Sequence, residues 1–286
     1  MTIQHGFGGS GGSVVNSGVL TLSRCTVSGN TACLHGGGLW NNGTLTIISS
    51  TISGNVAANN NCCNRFCSTF GGGIYNIGGM TINNSTIAGN SSPSYSGGIF
   101  NGGTMTVSGS TISGNTGEGI GVISTSSSAL SNSTVSGNTG AGIDLSSSTA
   151  TLSNSTVGGN TGHGIEIDTG SMATLQNSIV ANNGGGNCFG AITSNGFNLS
   201  SDGTCDFDGP GDLNNTNPLL GPLQNNGGPT QTQALLSGSP AIDAGNPSGC
   251  TDSQGHLLKT DQRGMPRPDK EDTGGCDMGA YERQSD

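Results

Sequence analysis

Basic residues are scarce in this chain. Lysine and arginine together number 7 of 286 residues, and residues 1–183 hold only Arg24 and Arg65. With no basic patch, a nucleic-acid backbone finds no counter-charge, so nucleic-acid partners are excluded. Long apolar runs are also missing, which excludes a membrane-spanning helix. The nine cysteines form no Cys-x-x-Cys pairs arranged as a zinc site. Acids are sparse at first and dense later. Glu118, Asp144, Glu166 and Asp168 are the four in residues 1–183, and the other thirteen follow residue 183. Few lysines, many Ser, Thr and Asn, and clustered cysteines point to an oxidising, extracellular setting.

What the chain has in abundance is repetition. A block of the form Ser-Thr-Ile-Ser-Gly-Asn recurs seven times, ending at Asn30, Asn55, Asn90, Asn115, Asn138, Asn160 and Asn183, with steps of 25, 35, 25, 23, 22 and 23 residues. A period in the twenties marks a solenoid. The 54 glycines would suit a disordered tract, but such a tract does not return Val or Ile to one slot seven times. That slot holds Val27, Ile52, Ile87, Ile112, Val135, Val157 and Val180. Five residues earlier stand Leu22, Ile47, Ile82, Val107, Leu130, Leu152 and Leu175. The fixed spacing predicts two short strands joined by an invariant turn, each alternating buried and wet positions.

A third strand precedes them, as in Gly37-Gly38-Leu39-Trp40-Asn41, Gly72-Gly73-Ile74-Tyr75-Asn76 and Gly97-Gly98-Ile99-Phe100-Asn101. Three strands per turn predict an all-β chain, a right-handed three-sided parallel β-helix over residues 1–183 with seven to eight coils. Residues 184–286 lose the period and are expected to cap the open end, which would otherwise expose unpaired backbone. The Gly-Asn turn is expected to stack its amides into a ladder, with Asn tolerating left-handed backbone. Thr2-Ile3 lies 24 residues before Thr26-Val27, in register with the repeat. Met1 is followed by polar residues rather than by a secretory leader, so the chain is expected to begin inside a longer precursor.

Cys188 with Cys205 and Cys250 with Cys276 are expected to form disulfides within the cap. Cys25 takes the place of a repeat serine and is expected to be unpaired. The long step inserts about ten residues, Asn59 to Phe70, holding Cys62, Cys63 and Cys67; Cys33 is expected to bridge to this loop. In the cap, Arg263 and Arg267 are expected to pair with Asp243, Asp261 and Asp277.

The coils resemble right-handed parallel β-helix repeat proteins of bacteria. Their Gly-Gly-Ile-x-Asn and Ser-Thr-Ile-Ser-Gly-Asn elements are similar to polymorphic outer-membrane protein repeats. The tail resembles the choice-of-anchor Q region of secreted bacterial surface proteins. It carries Asn217-Pro218-Leu219-Leu220-Gly221-Pro222-Leu223, Gly238-Ser239-Pro240-Ala241-Ile242-Asp243-Ala244-Gly245 and Cys276-Asp277-Met278-Gly279-Ala280-Tyr281-Glu282. The resemblance implies a secreted or surface-displayed protein without an assigned activity. Only four residues follow Glu282, so an anchor segment is expected to be absent.

Chemistry has few candidates. Asp144 and Glu166 occupy one outward slot on successive coils and are the candidate acid/base pair. Trp40, Tyr75 and Phe100 form an outward ring row, the candidate binding strip for a glycan or surface partner. Asp202, Asp206, Asp208 and Asp212 offer oxygen ligands to calcium, the one cofactor considered. Two threonine columns, from Thr26 to Thr156 and from Thr21 to Thr174, suit a flat face for ice or carbohydrate. The first reading is a non-catalytic scaffold or adhesin, outside the cell or on its surface. The second is a carbohydrate-active enzyme or glycan-binding β-helix, and ice binding is the third.

Overall fold

The computed structural model describes residues 1–58, 68–270 and 275–284. Its regular elements, among the described residues, are all strands. Three long sheets run the length of the rod. Sheet 1 stacks eight strands, Val14–Asn16, Leu39–Asn41 and their successors to Cys188–Phe189. Sheet 2 stacks eight, from Val19–Ser23 to Ile192–Ser194, and sheet 3 stacks nine, from Thr2–Gln4 to Leu199–Ser200. Pairing within all three is parallel and coil to coil. A fourth sheet of three short strands widens the early coils.

The predicted register holds. Leu22, Ile47 and Ile82 pair in one inward column, and Val27, Ile52 and Ile87 in another. Both columns are buried, and they join the inward residues of sheet 1, such as Leu39, Ile74 and Ile99, in one core cluster. Thr2 and Ile3 pair with Thr26 and Val27 as the repeat requires. The five-residue spacing has a local cause. A single left-handed residue turns each chain from sheet 2 into sheet 3: Arg24, Ser49, Asn84, Gly109, Asn132, Asn154 and Asn177.

At the next corner the left-handed residue is the glycine, Gly29 through Gly159, and in the last coil Asn182. The ladder asparagine after it is therefore not the left-handed residue, contrary to expectation; glycine takes that backbone at no steric cost. The asparagine turns inward instead. From Asn30 to Asn183 each amide nitrogen donates to the next amide oxygen at 2.8–3.1 Å. A second ladder, Asn16, Asn41, Asn76 and Asn101, lines the corner between sheets 1 and 2 at 2.6–2.7 Å.

The aperiodic region does two jobs. Strands continue past residue 183 for one more coil, and the end is closed by Cys205 and Phe207, both buried against the main core. The remainder folds back as a strap along the outer face of sheet 3. Gln262 donates to Thr111 Oγ1 at 2.9 Å and accepts from Thr134 Oγ1 at 2.6 Å, and Ala280 N–H donates to Thr156 Oγ1 at 3.1 Å. Thr111, Thr134 and Thr156 are buried beneath it. This half of the first threonine column is therefore not an open array.

The Cys188–Cys205 and Cys250–Cys276 disulfides are present, and Cys25 is unpaired. Cys33 is disulfide-bonded; the expectation for Cys62, Cys63 and Cys67 falls outside the described residues. Arg263 pairs with Asp261 at 2.8 Å as expected. Arg267 instead pairs with Glu282 at 2.6 Å. The Asp277 carboxylate is engaged by the Asp243 and Arg283 backbone N–H groups.

Candidate functional site

One outward column of sheet 1 collects most of the unusual side chains of the rod. Along the stack it runs Val15, Trp40, Tyr75, Phe100, Gly121, Asp144, Glu166 and Phe189. Strands alternate faces with period two, so each residue following the inward Leu or Ile must point out. The ring row and the acid pair are thus one column, separated by a single coil. The alignment of Gly119-Ile120-Gly121 with the neighbouring strands carried that signal, and reading the rings and acids as separate leads missed it.

The ring row is not the exposed strip that was expected. Trp40 and Tyr75 are half-buried, and Phe100 is only 4% exposed. Phe70, at the end of the insertion, packs over Phe100 with centroids 4.7 Å apart and stacks on Tyr95 at 4.9 Å. Tyr75 stacks on Phe100 at 4.9 Å, and His35 on Tyr75 at 4.8 Å. Phe70, Tyr95 and His35 lie on the short fourth side and are linked by isolated parallel bridges. Sequence reasoning did not find them, because the insertion breaks the repeat between Phe70 and its neighbours. Burial holds the His35 imidazole below its usual range and raises the Tyr75 phenol.

Between the rings and the acids lies a cavity of about 600 Å³, lined by Phe70, Tyr95, Phe100, Ile123, Asp144 and Asp168 among others. Gly121, between Phe100 and Asp144 in the column, has no room for a side chain: a Cβ there would meet Ser96 Oγ at 2.1 Å. Glu118 accepts from the Ser96 backbone N–H. A second concavity of about 440 Å³, lined by Val15, His35, Trp40, Tyr75 and Ile77, lies further along the same face.

Asp144 and Glu166 are direct neighbours in register, so their backbones lie about 4.8 Å apart. Burial pushes the Asp144 carboxyl up to about 7, helped by the charges of Glu118, Glu166 and Asp168. A carboxyl held near 7 both gives and takes a proton near neutrality, which acid/base chemistry and hydrogen-bonded recognition both use. The folded-state value lies above the unfolded one of 3.8, so the stabilisation is complete below about pH 3.8 and is lost as pH rises through about 7. Asp144→Asn is expected to be the more stable protein at about pH 8.5, by at most about 1 kcal/mol after solvent screening, and to match the parent at about pH 3.5. Thermal melts across that range check it; identical pH profiles for the two proteins would remove the claim.

The calcium expectation does not fit the loop. Asp202 accepts from Asn187 N–H, Thr204 N–H and Thr204 Oγ1. Asp212 accepts from Ser194 Oγ, Asn198 N–H and Gly209 N–H. Their oxygens are committed to the turn, which holds the Asp202 carboxylate below its usual range despite partial burial. Asp206 and Asp208 are exposed. Among the described residues no three His, Cys, Asp or Glu side chains gather to hold an ion.

The outer face of sheet 2 keeps its threonines. Thr81, Thr104, Thr106, Thr149 and Thr151 line a shallow, uncharged concavity of about 400 Å³. It offers hydroxyls without rings or charge.

A parallel solenoid with a ring-and-carboxylate groove on one face is the class of protein this geometry defines. The chain belongs to the family described as the right-handed β-helix region, which matches residues 16–209. No curated protein and no solved structure matches it.

Proposed function

We propose that this chain is a secreted or surface-displayed recognition rod that binds a carbohydrate chain along the outer face of sheet 1. The observation that carries the reading is the 600 Å³ groove in which stacked rings meet carboxyls. Ring faces accept the apolar faces of sugars, and carboxyls accept their hydroxyl hydrogens. The similarity of the tail to the choice-of-anchor Q region supports display at a bacterial surface. The likeness of the coils to polymorphic outer-membrane protein repeats supports an adhesin-like role. The Cys188–Cys205 and Cys250–Cys276 disulfides agree with an oxidising compartment.

The test uses Tyr95, which is 50% exposed and lies outside the core. Tyr95→Ser is expected to weaken binding of the best glycan from an array by about tenfold, with the melting temperature unchanged. Thr106→Val, on the open face of sheet 2, is expected to leave binding as it was. Equal affinity for parent and Tyr95→Ser would sink the groove as the binding site. One observation favours a second reading, glycoside hydrolysis: Asp144 is held near 7 beside Glu166. Turnover of a polysaccharide that Asp144→Asn abolishes would establish it.

A further inference from the structure

Resting on the glycan reading, we propose that the acidic half of the groove selects a cationic amino-sugar chain, a hexosamine polymer with free amino groups, over neutral and uronic glycans. Asp202, Asp212, Asp252 and Asp261 all spend their oxygens on N–H or O–H donors of their own loops. Among the described residues, no hydrogen bond within the chain reaches the carboxyls of Asp144, Glu166 or Asp168. These three do not serve the fold, yet they stand together. Asp144 and Glu166 share a column, and Asp168, just past the end of the Glu166 strand, lines the same cavity as Asp144.

Among the described residues no lysine or arginine lines the groove. Between Arg65 and Lys259 the sequence has no lysine or arginine. Arg263 and Arg267 are buried in ion pairs of the strap on sheet 3. A uronic chain would bring like charge into this half of the groove. A neutral chain would leave the carboxylates partly desolvated and unpaired. An ammonium-bearing sugar supplies three donors and the missing charge at once, while Phe70 and Tyr95 at the other end offer ring surface to the next sugar. Charge and ring surface in one trough therefore favour a polymer that is both sugar and cation.

The experiment titrates the whole chain calorimetrically with hexamers of glucosamine, N-acetylglucosamine and galacturonic acid at near-neutral pH and moderate salt. The parent is expected to bind the glucosamine hexamer about tenfold tighter than the N-acetylated one, and the galacturonate hexamer weakest. In Asp144→Asn/Glu166→Gln the ratio of the first two affinities is expected to fall to about one. That variant relieves like-charge repulsion, so it is expected to fold, and a melt confirms this. Asp206→Asn/Asp208→Asn, which removes the same number of carboxyls from the exposed loop, is expected to keep the preference. A preference that survives the groove variant, or that the loop variant removes equally, overturns the proposal in favour of bulk charge. Binding of the N-acetylated hexamer with no preference overturns the amino-sugar selection and leaves the glycan reading standing. Binding of none of the three overturns both.

Discussion

Arg267→Met is expected to free the strap from sheet 3 and to lower stability by about 3–5 kcal/mol, the usual cost of stranding one partner of a buried ion pair. Arg267 and Glu282 side chains are both 0% exposed. The guanidinium also donates to Asn132 Oδ1 at 2.8 Å and to the Gly279 carbonyl at 2.9 Å. One side chain thus ties two stretches of the strap to a corner of the solenoid. Burial pushes the Glu282 carboxyl up to about 8 even against the pull of Arg267, and its second oxygen has no partner. Without the arginine this carboxyl must stay protonated or drag the strap into water. Limited proteolysis should then cut within the strap while the coils resist. The double variant Arg267→Met/Glu282→Leu is expected to recover most of the loss, because it leaves neither buried polar group without its partner. If the single variant melts with the parent and its strap stays protected, the pair does not hold the strap.

Asn115→Ala is expected to cost about 4 kcal/mol, a large effect for one amide. Its oxygen accepts from the Asn90 backbone N–H at 2.9 Å and from the Asn90 amide at 3.1 Å. Its nitrogen donates to the Ile87 carbonyl at 3.1 Å and to Asn138 Oδ1 at 2.9 Å. All of these groups are buried, and each one stranded without a partner costs about 1–3 kcal/mol. The break falls mid-ladder, where neither neighbour can turn to solvent, and stacked amides polarise one another. Coils in a solenoid contact only their neighbours, so the damage should show as lost hydrogen-exchange protection around Asn90 and Asn138 first. Thr116→Ala, at the exposed residue next along, is expected to change stability by less than about 0.5 kcal/mol. A loss below about 1 kcal/mol for Asn115→Ala would mean that water or a neighbouring amide repairs the gap.

What was legible in the sequence was everything that repeats. Leu22, Ile47 and Ile82 recur five residues before Val27, Ile52 and Ile87, and that spacing alone set the coil, the register and the inward face. Strand pairing in a solenoid joins each residue to its equivalent one period away, so the period is the contact map. The disulfides of Cys188 with Cys205 and Cys250 with Cys276 were also within reach, since both close short loops in the one stretch where the period fails. What only the tertiary structure decided lies where the period is broken. Gln262 meets Thr134 across 128 residues with no recurring pattern to announce it, so the strap and the burial of Thr111, Thr134 and Thr156 could not be foreseen. Phe70 arrives from an insertion to cover Phe100, turning an exposed row into the wall of a groove. Asp144 shares a cavity with those rings because a single coil separates them in the column. Depth arises from side chains far apart in the chain that close over one another, and local spacing carries no record of that packing.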